Sequence, residues 1–462
     1  MNVSKPNIVL IVLDTVRHDI FSESILTGNM PYLAKLKKDF NSFDNCIAPS
    51  PWTVPSHASL FTGMYPSYHS VHEDKNANQF SIVMNKIINY EGTTLTESLK
   101  NQGYSTYGFV ANPYLMPGTG FERGFDFLSF IDMFSDIFDA REKFKIRIRN
   151  RYPIIFEDII NLANNFSYSR LISFSRNPKN IIKLPFLTFA YSSYIKEMKK
   201  SGYPLLKAGR NISYNIFNSH LNEPFFLFIN FMEAHDPYIL GNGELFSGEA
   251  SKMLRFLSGD LNISKKLLQL FKRIYREELR LIDGYIEKII NFLIRIGSYD
   301  NTVIVITSDH GQSFGEDHFY GHGILLSDSI LRVPLLVKLP NQKIFNQPNE
   351  YQSLVNVYKF LLQNGKGIIS PELLSSEYVF AESFGFQEDY RTILKGKDEI
   401  IQKLSRFDVR KLALYYNKHK FTLNVVNDIA SYEESDAYKS KLINKIILEF
   451  LGEKYRIRNS DC

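Results

Sequence analysis

The chain has 462 residues, of which 44% are hydrophobic and 22% charged, with a formal net charge of +5. That balance suits one large globular domain plus a smaller one, and it excludes collagenous, low-complexity and disulfide-scaffold proteins. Two cysteines, Cys46 and Cys462, cannot build a framework of bridges and fit a reducing compartment.

The N-terminus passes from Lys5 and Pro6 into residues 7–13 (NIVLIVL), and Asp14 follows at once. No small-residue cleavage site comes after this short run, so a signal peptide is not expected. No apolar run approaches the ~18–20 residues of a membrane span. The chain is therefore expected to be cytoplasmic, with association at a membrane surface left open.

Residues 7–13, 106–111 (TYGFVA), 224–231 (PFFLFINF) and 302–307 (TVIVIT) are apolar on both faces. Such runs suit parallel strands covered by helices on both sides. Helical spacing predicts a helix over 94–102 and a long one over 264–297, where Phe271, Leu279, Ile282, Ile286, Ile289 and Leu293 recur. A further helix is expected within 341–367. Strand and helix alternate, so the class is α/β, with a mainly parallel central sheet sandwiched by helices.

One stretch, about 135–215, interrupts the alternation and reads as a helical insertion. Residues 141–210 hold 15 Lys and Arg against 4 Asp and Glu. This surplus exceeds that of the whole chain, so the remainder is net acidic. The segment could meet an anionic glycan, lipid surface or ester, or it could be a solvated face. After residue 365 the character changes. Residues 377–381, 390–395, 411–416 and 420–425 read as short strands, and 436–451 as a closing helix. The expected organisation is an α/β catalytic domain over 1–365 and a smaller C-terminal α+β subdomain over 366–462.

The chemistry-bearing residues fall at predicted strand ends, where open α/β sheets bind ligands. Asp14 ends the first strand. His235 follows the third by four residues. Asp309 and His310 follow the fourth, and a carboxylate beside an imidazole there is a plausible divalent-metal pair. Thr53, in PWTVPSHASLFTG, falls at a predicted helix N-terminus, where N–H groups favour an anion. Taken singly, Asp14 and Thr53 read equally well as helix caps. His318 and His322 are four residues apart, but Gly321 and Gly323 point to a loop.

Taken together and in order, VLDTVR, PWTVPSHASLFTG, EAHDPY, SDHGQ and RVPLLVK resemble the sulfatase family of the alkaline phosphatase superfamily. The resemblance implies a metal-dependent hydrolase or transferase of sulfate or phosphate esters. It implies one divalent ion (Ca, Mn, Mg or Zn) held by Asp14, Thr53, Asp309 and His310. It also implies a nucleophile in the Thr53 slot, His235 on the ester oxygens and His322 near the leaving group; the chemistry of such a site adds His57 on the ester oxygens beside His235. Three positions, Thr53, His57 and Thr15, depart from the pattern. The family's C-x-P-S-R or S-x-P-S-R frame reads Thr53-Val54-Pro55-Ser56-His57 here, so no formylglycine is expected. Thr15 stands where many sulfatases have a second Asp.

A threonine nucleophile resembles the phosphodiesterase and phosphoglycerol-transferase branches, so a phosphoester is at least as fitting a substrate as a sulfate ester. Two other functions stay open: a transferase moving a phosphoryl-linked group onto a glycan or lipid, and a catalytically silent anion-binding module. No dedicated nucleic-acid motif is present, and the sequence does not set the oligomeric state. If the basic segment guides a large anionic substrate, affinity for such a substrate should fall steeply between low and high salt, while that for a small chromogenic ester should barely move. Equal salt slopes in a binding titration would reduce the segment to a solvated insertion.

Overall fold

The computed structural model describes residues 5–73, 86–132, 207–236, 238–239, 245–246, 250–342, 344, 350–386, 390–433 and 441–457. Most of the basic insertion, 133–206, and the first part of the expected closing helix, 436–440, lie outside the described residues.

The main sheet runs through β1 (Asn7–Leu13), β2 (Asn41–Ile47), β3 (Ser105–Val110), β4 (Phe127–Phe130), β5 (Phe225–Phe231), β6 (Thr302–Thr307), β7 (Arg332–Lys338), β8 (Tyr351–Ser353) and β9 (Ser375–Ser376). Its spatial order among the described residues is β9-β8-β2-β7-β6-β1-β5-β3-β4. The five strands from β6 to β4 are all parallel. β7 is antiparallel to both neighbours. Its Pro334 has no N–H for a ladder, and the register with β2 shifts there, as expected for proline in a sheet.

Strand alternation explains the two-sided core. In β1, Val9, Ile11 and Leu13 face one side and Ile8, Leu10 and Val12 the other. The first side is covered by α1 (His18–Leu26), α3 (Gly209–Phe217) and α4 (Lys265–Arg295). The second is covered by α2 (Thr53–Thr62) and α5 (Leu354–Gly365). Helix α4 starts where Ser264 Oγ accepts the Leu267 N–H, and it buries Phe271, Tyr275, Leu279, Ile282, Ile286, Ile289 and Leu293. Each such aliphatic or Phe side chain contributes roughly 1.5–3 kcal/mol by leaving water. The expected helix at 94–102 forms as Leu95–Asn101, opened by a reciprocal cap between Thr94 and Glu97.

A second sheet joins β10 (Tyr378–Ser383), β11 (Arg410–Tyr416), β12 (His419–Val426), β13 (Ile429–Tyr432) and β14 (Arg456–Ile457) in that order. It is antiparallel except for its last pair. Helix α6 (Lys441–Leu451) lays Ile443, Ile446, Ile447 and Phe450 on it. The fold class read from the sequence therefore holds. One element does not: 390–395 is not a strand. Tyr390–Ile393 is a helical turn. Leu394, just beyond it, joins a local cluster with Leu254, Leu257 and Phe386. Tertiary burial of one leucine outweighs the strand-like period of so short a segment. Among the described residues, no helix is long and apolar enough to cross a membrane.

The parallel strands aim their C-terminal ends at one edge. There the chain leaves β1 through Thr15, which adopts a left-handed φ of 61°. Tyr275 of α4 fastens this turn: its hydroxyl donates to the Thr15 carbonyl and accepts the Arg17 N–H, both at 2.8 Å. Tyr275→Phe would leave both groups buried and unpaired, which should cost about 1–3 kcal/mol. Urea unfolding of the two proteins side by side checks the figure, and an unchanged midpoint would show that the turn holds itself.

Candidate active site

Four strand ends and one helix start meet at this edge of the sheet. Asp14, Asp309 and His310 are fully buried, and each offers a ligand atom within 4.8 Å of the others. The turn after β1 binds the turn after β6 directly: the Thr15 N–H donates to Asp309 Oδ1 at 3.2 Å. The His310 N–H donates to the same oxygen at 2.9 Å. Asp309 Oδ2 has no hydrogen-bond partner. Asp14 is arranged likewise. Its Oδ2 accepts from Asn112 Nδ2 at 2.7 Å, and its Oδ1 is left without a partner.

Two buried carboxylates so placed repel by roughly 3–4 kcal/mol at an effective dielectric of ~20. Burial, reinforced by Asp309, raises the Asp14 pKa above the usual carboxylate range. Orphaned oxygens and uncompensated negative charge are what a divalent cation would relieve, so the residues present fit one. His310 fits as the third ligand. Its Nδ1 donates to the Gly311 carbonyl at 2.9 Å, which leaves the Nε2 lone pair facing the carboxylates.

Thr53 opens α2. Trp52 before it is extended and gives no side-chain cap, and no acidic residue occupies the first turn. The helix N-terminus is therefore free to face an anion. Thr53 Oγ1 lies 3.2 Å from His310 Nε2 and is almost fully buried. The hydroxyl thus stands at the carboxylate cluster, as the sequence placed it.

The other three histidines share one feature with His310: each Nδ1 is held by an oxygen. His57 donates to the Thr53 carbonyl at 2.9 Å, His235 to the Asp236 carbonyl at 2.5 Å, and His322 to Gln312 Oε1 at 2.7 Å. His322 lies between its neighbours, with ring centroids 4.5 Å from His310 and 5.1 Å from His235. Their charges diverge. Burial holds His57 down to about 4. Burial, with the His310 and His235 rings beside it, keeps His322 well below the ordinary imidazole range. Burial also opposes charge on His235, but Asp236 and Asp14 outweigh it and raise its pKa.

The expected roles of His57, His235 and His322 thus meet different surroundings. In a neutral ring whose Nδ1 donates to an oxygen, Nε2 is an acceptor, and donation to an ester oxygen needs the protonated ring. Burial disfavours that form at His57 and His322, while Asp236 and Asp14 favour it at His235. His318 is exposed and is not part of the carboxylate cluster.

The sequence reading missed three amides. Asn112 follows β3 and holds Asp14. Asn230, inside β5, accepts the Asn112 N–H at 3.0 Å and so sets that turn. Gln312 fixes His322. Asn112 was findable, because it stands just past a predicted strand end. Asn230 and Gln312 carry no spacing signal.

Comparison with known proteins points one way. The family profile described as Sulfatase matches residues 6–366. The chain is 25% identical over 455 residues to N-acetylgalactosamine-6-O-sulfatase of Bacteroides thetaiotaomicron, covering 87% of this chain and 83% of that protein. It is 24% identical to an arylsulfatase of Clostridium perfringens, covering 96% and 94%. Its fold superposes on a phosphonate monoester hydrolase of Silicibacter pomeroyi with a TM-score of 0.53, at 14% identity and over 91% and 86% of the two chains.

The cation assignment can be checked by metal analysis. Asp309→Asn should lose bound divalent metal and turnover together. Asn112→Ala, which frees Asp14 to rotate, should weaken metal affinity about 10–100-fold. His318→Ala should leave metal content unchanged. Full metal occupancy in Asp309→Asn would place the cation elsewhere.

Proposed function

We propose that this chain, which belongs to the sulfatase family, is a metal-dependent ester hydrolase that uses unmodified Thr53 as its nucleophile and favours phosphorus over sulfur. The observation that carries the reading is the Thr53 hydroxyl at a helix N-terminus, 3.2 Å from His310 and beside two carboxylates that each keep one oxygen without a hydrogen-bond partner.

A divalent cation on Asp14, Asp309 and His310 would lower the hydroxyl's pKa and polarise an ester oxygen. The protein's own residues do the rest. At the start of α2 Pro55 carries no N–H and Ser56 donates to the Trp52 carbonyl, so the Thr53 and Val54 N–H groups are those that would meet the ester oxygens. His235, with its raised pKa, donates to an equatorial oxygen as negative charge develops. Thr53 Oγ1, its proton released to solvent water, bonds to phosphorus in line as the bond to the leaving oxygen breaks. Bound anionic ester raises the pKa of His322 next to it. His322 can then take up a proton and pass it to the leaving oxygen. Water next attacks phosphorus, and Thr53 is released with its hydroxyl restored. Gln312 holds the His322 ring so that Nε2 faces this exchange.

Two features support phosphorus. Formylglycine sheds sulfate by collapse of its hydrated aldehyde, and a threonine has no second hydroxyl to drive that step. A sulfated Thr53 would need direct attack at sulfur. His57 in place of the arginine also removes a cation from the maturation frame. The Silicibacter enzyme, named for a phosphonate ester, has this fold, so the scaffold itself imposes no restriction to sulfur. The substrate is expected to be an anionic ester, free or linked to a glycan or lipid.

Intact mass and peptide mapping should find residue 53 as plain threonine. In assays of chromogenic phosphate and sulfate mono- and diesters with Mn²⁺, Mg²⁺, Ca²⁺ or Zn²⁺, a phosphoester should turn over fastest. Thr53→Ala should lower the rate by several orders of magnitude, and Thr53→Ser should retain measurable activity. Strong sulfate-ester turnover without phosphoester turnover would reject the preference for phosphorus. An acceptor-linked product in place of free acid would make the enzyme a transferase.

A further inference from the structure

A buried cation beneath the active-site crevice has no role in the steps above. Lys207 is 3% exposed although it is a lysine. It lies two residues before α3. Its ammonium donates to the Glu233 carbonyl at 2.7 Å and to the His235 carbonyl at 2.5 Å. Glu278 Oε1 of α4 lies 3.5 Å away on another side. An ammonium has three N–H donors. Here two meet carbonyls, and the third has a carboxylate within reach.

The carbonyls that Lys207 takes belong to the turn that carries His235 out of β5. The carbonyl between them, Ala234, accepts from the Tyr238 hydroxyl at 2.8 Å. Three consecutive carbonyls are thus held by side chains and not by a helix or sheet. The contact is reciprocal, because Glu233 Oε1 accepts the Gly209 N–H at 2.7 Å. Ala208 between the two contacts adopts a left-handed φ of 74°, a conformation costly for alanine. A Cβ at Gly209 would come within 2.4 Å of Glu233 Oε1. The chain there accepts strain in order to reach the turn. Burial raises the carboxyls of Glu233, to about 8, and Glu278, to about 7, and the ammonium opposes both rises.

We propose that Lys207 is a positioning residue for His235: by clasping the carbonyls on either side of Ala234, and being held in turn by Glu278, it fixes where the His235 imidazole meets the ester. This inference rests on the ester-hydrolase reading given above. It gives the buried cation a task that charge balance alone would not require. Neutralising Glu278 needs only proximity, whereas two short bonds to one turn set that turn's geometry.

Lys207→Met alone leaves the buried Glu278 carboxyl without its cation and could unfold the chain, so the test pairs it with Glu278→Gln. In this charge-matched double variant, amide hydrogen exchange over residues 232–236 should quicken while that of β1 and β6 stays at the wild-type rate. With a bis(p-nitrophenyl) phosphate probe, kcat should fall about tenfold or more, with KM changed less, since small misplacements of a catalytic group cost rate. Bound metal should be unchanged. Lys207→Arg, which keeps a cation and its donors, should recover part of the loss. The clasp also predicts that His235→Ala and the double variant together cost no more than His235→Ala alone. A folded double variant with wild-type exchange at 232–236, or with wild-type kcat, would overturn the proposal and leave Lys207 as a neutraliser of Glu278. Wild-type protein inert towards every ester would instead overturn the hydrolase reading, and the exchange measurement would still decide the clasp.

Discussion

The constraint on which the site depends is electrostatic: Asp14 and Asp309 are both wholly buried and both close to one point. Adjacent parallel strands enforce this. β1 and β6 pair in register, so the residues that end them emerge side by side. Such a pair is costly in a dry interior unless positive charge or donors answer it. The turn amides of Thr15 and His310 answer one oxygen of Asp309, and Asn112 answers one of Asp14. One oxygen on each is left open. One oxygen of each carboxyl is hydrogen-bonded, and the other oxygen of each lies where a divalent cation would fit.

Other features of the crevice follow from holding that arrangement. Thr15 takes a left-handed backbone conformation, which turns its N–H toward Asp309. Tyr275 then secures the same turn from α4. Arg17, two residues on, is itself buried and joins Asp19, Glu316 and the Gln312 carbonyl. Gln312 holds His322. One run of polar contacts therefore leads from the turn beside the first carboxylate to His322.

Much of this was legible in the sequence, for identifiable reasons. The parallel strands show because both their faces are buried, which makes NIVLIVL and TVIVIT continuous apolar runs. Asp14, Asp309 and His310 show because they stand at or just past the ends of such runs and belong to motifs that occur in one order with PWTVPSHASLFTG and EAHDPY. Thr53 shows through Pro55 and the helical residues after it. β2 did not show: NSFDNCI is half polar and reads as a loop, since it is recognised as a strand only by pairing with β7 and β8. Asn230 was hidden inside its own strand. Lys207 looked like one more cation of a basic segment. Its burial is a tertiary fact, set by the carbonyls of a turn 26 residues away.

The protonation of the histidines lies further beyond sequence, because residue type alone makes all four alike. The structure separates them by what lies beside each ring. All four anchor Nδ1 on an oxygen, which fixes the tautomer and leaves Nε2 as the working atom. His235 has Asp236 and Asp14 near it and is biased toward the cation, hence toward donating. At His57 burial outweighs the pull of Asp14, and at His322 burial and the neighbouring His310 and His235 rings act together, so both are biased toward the neutral, accepting form. An anion beside His322 would add the negative charge that this ring lacks and favour its protonated form. In the proposed mechanism the proton for the leaving oxygen would therefore become available only with an ester present.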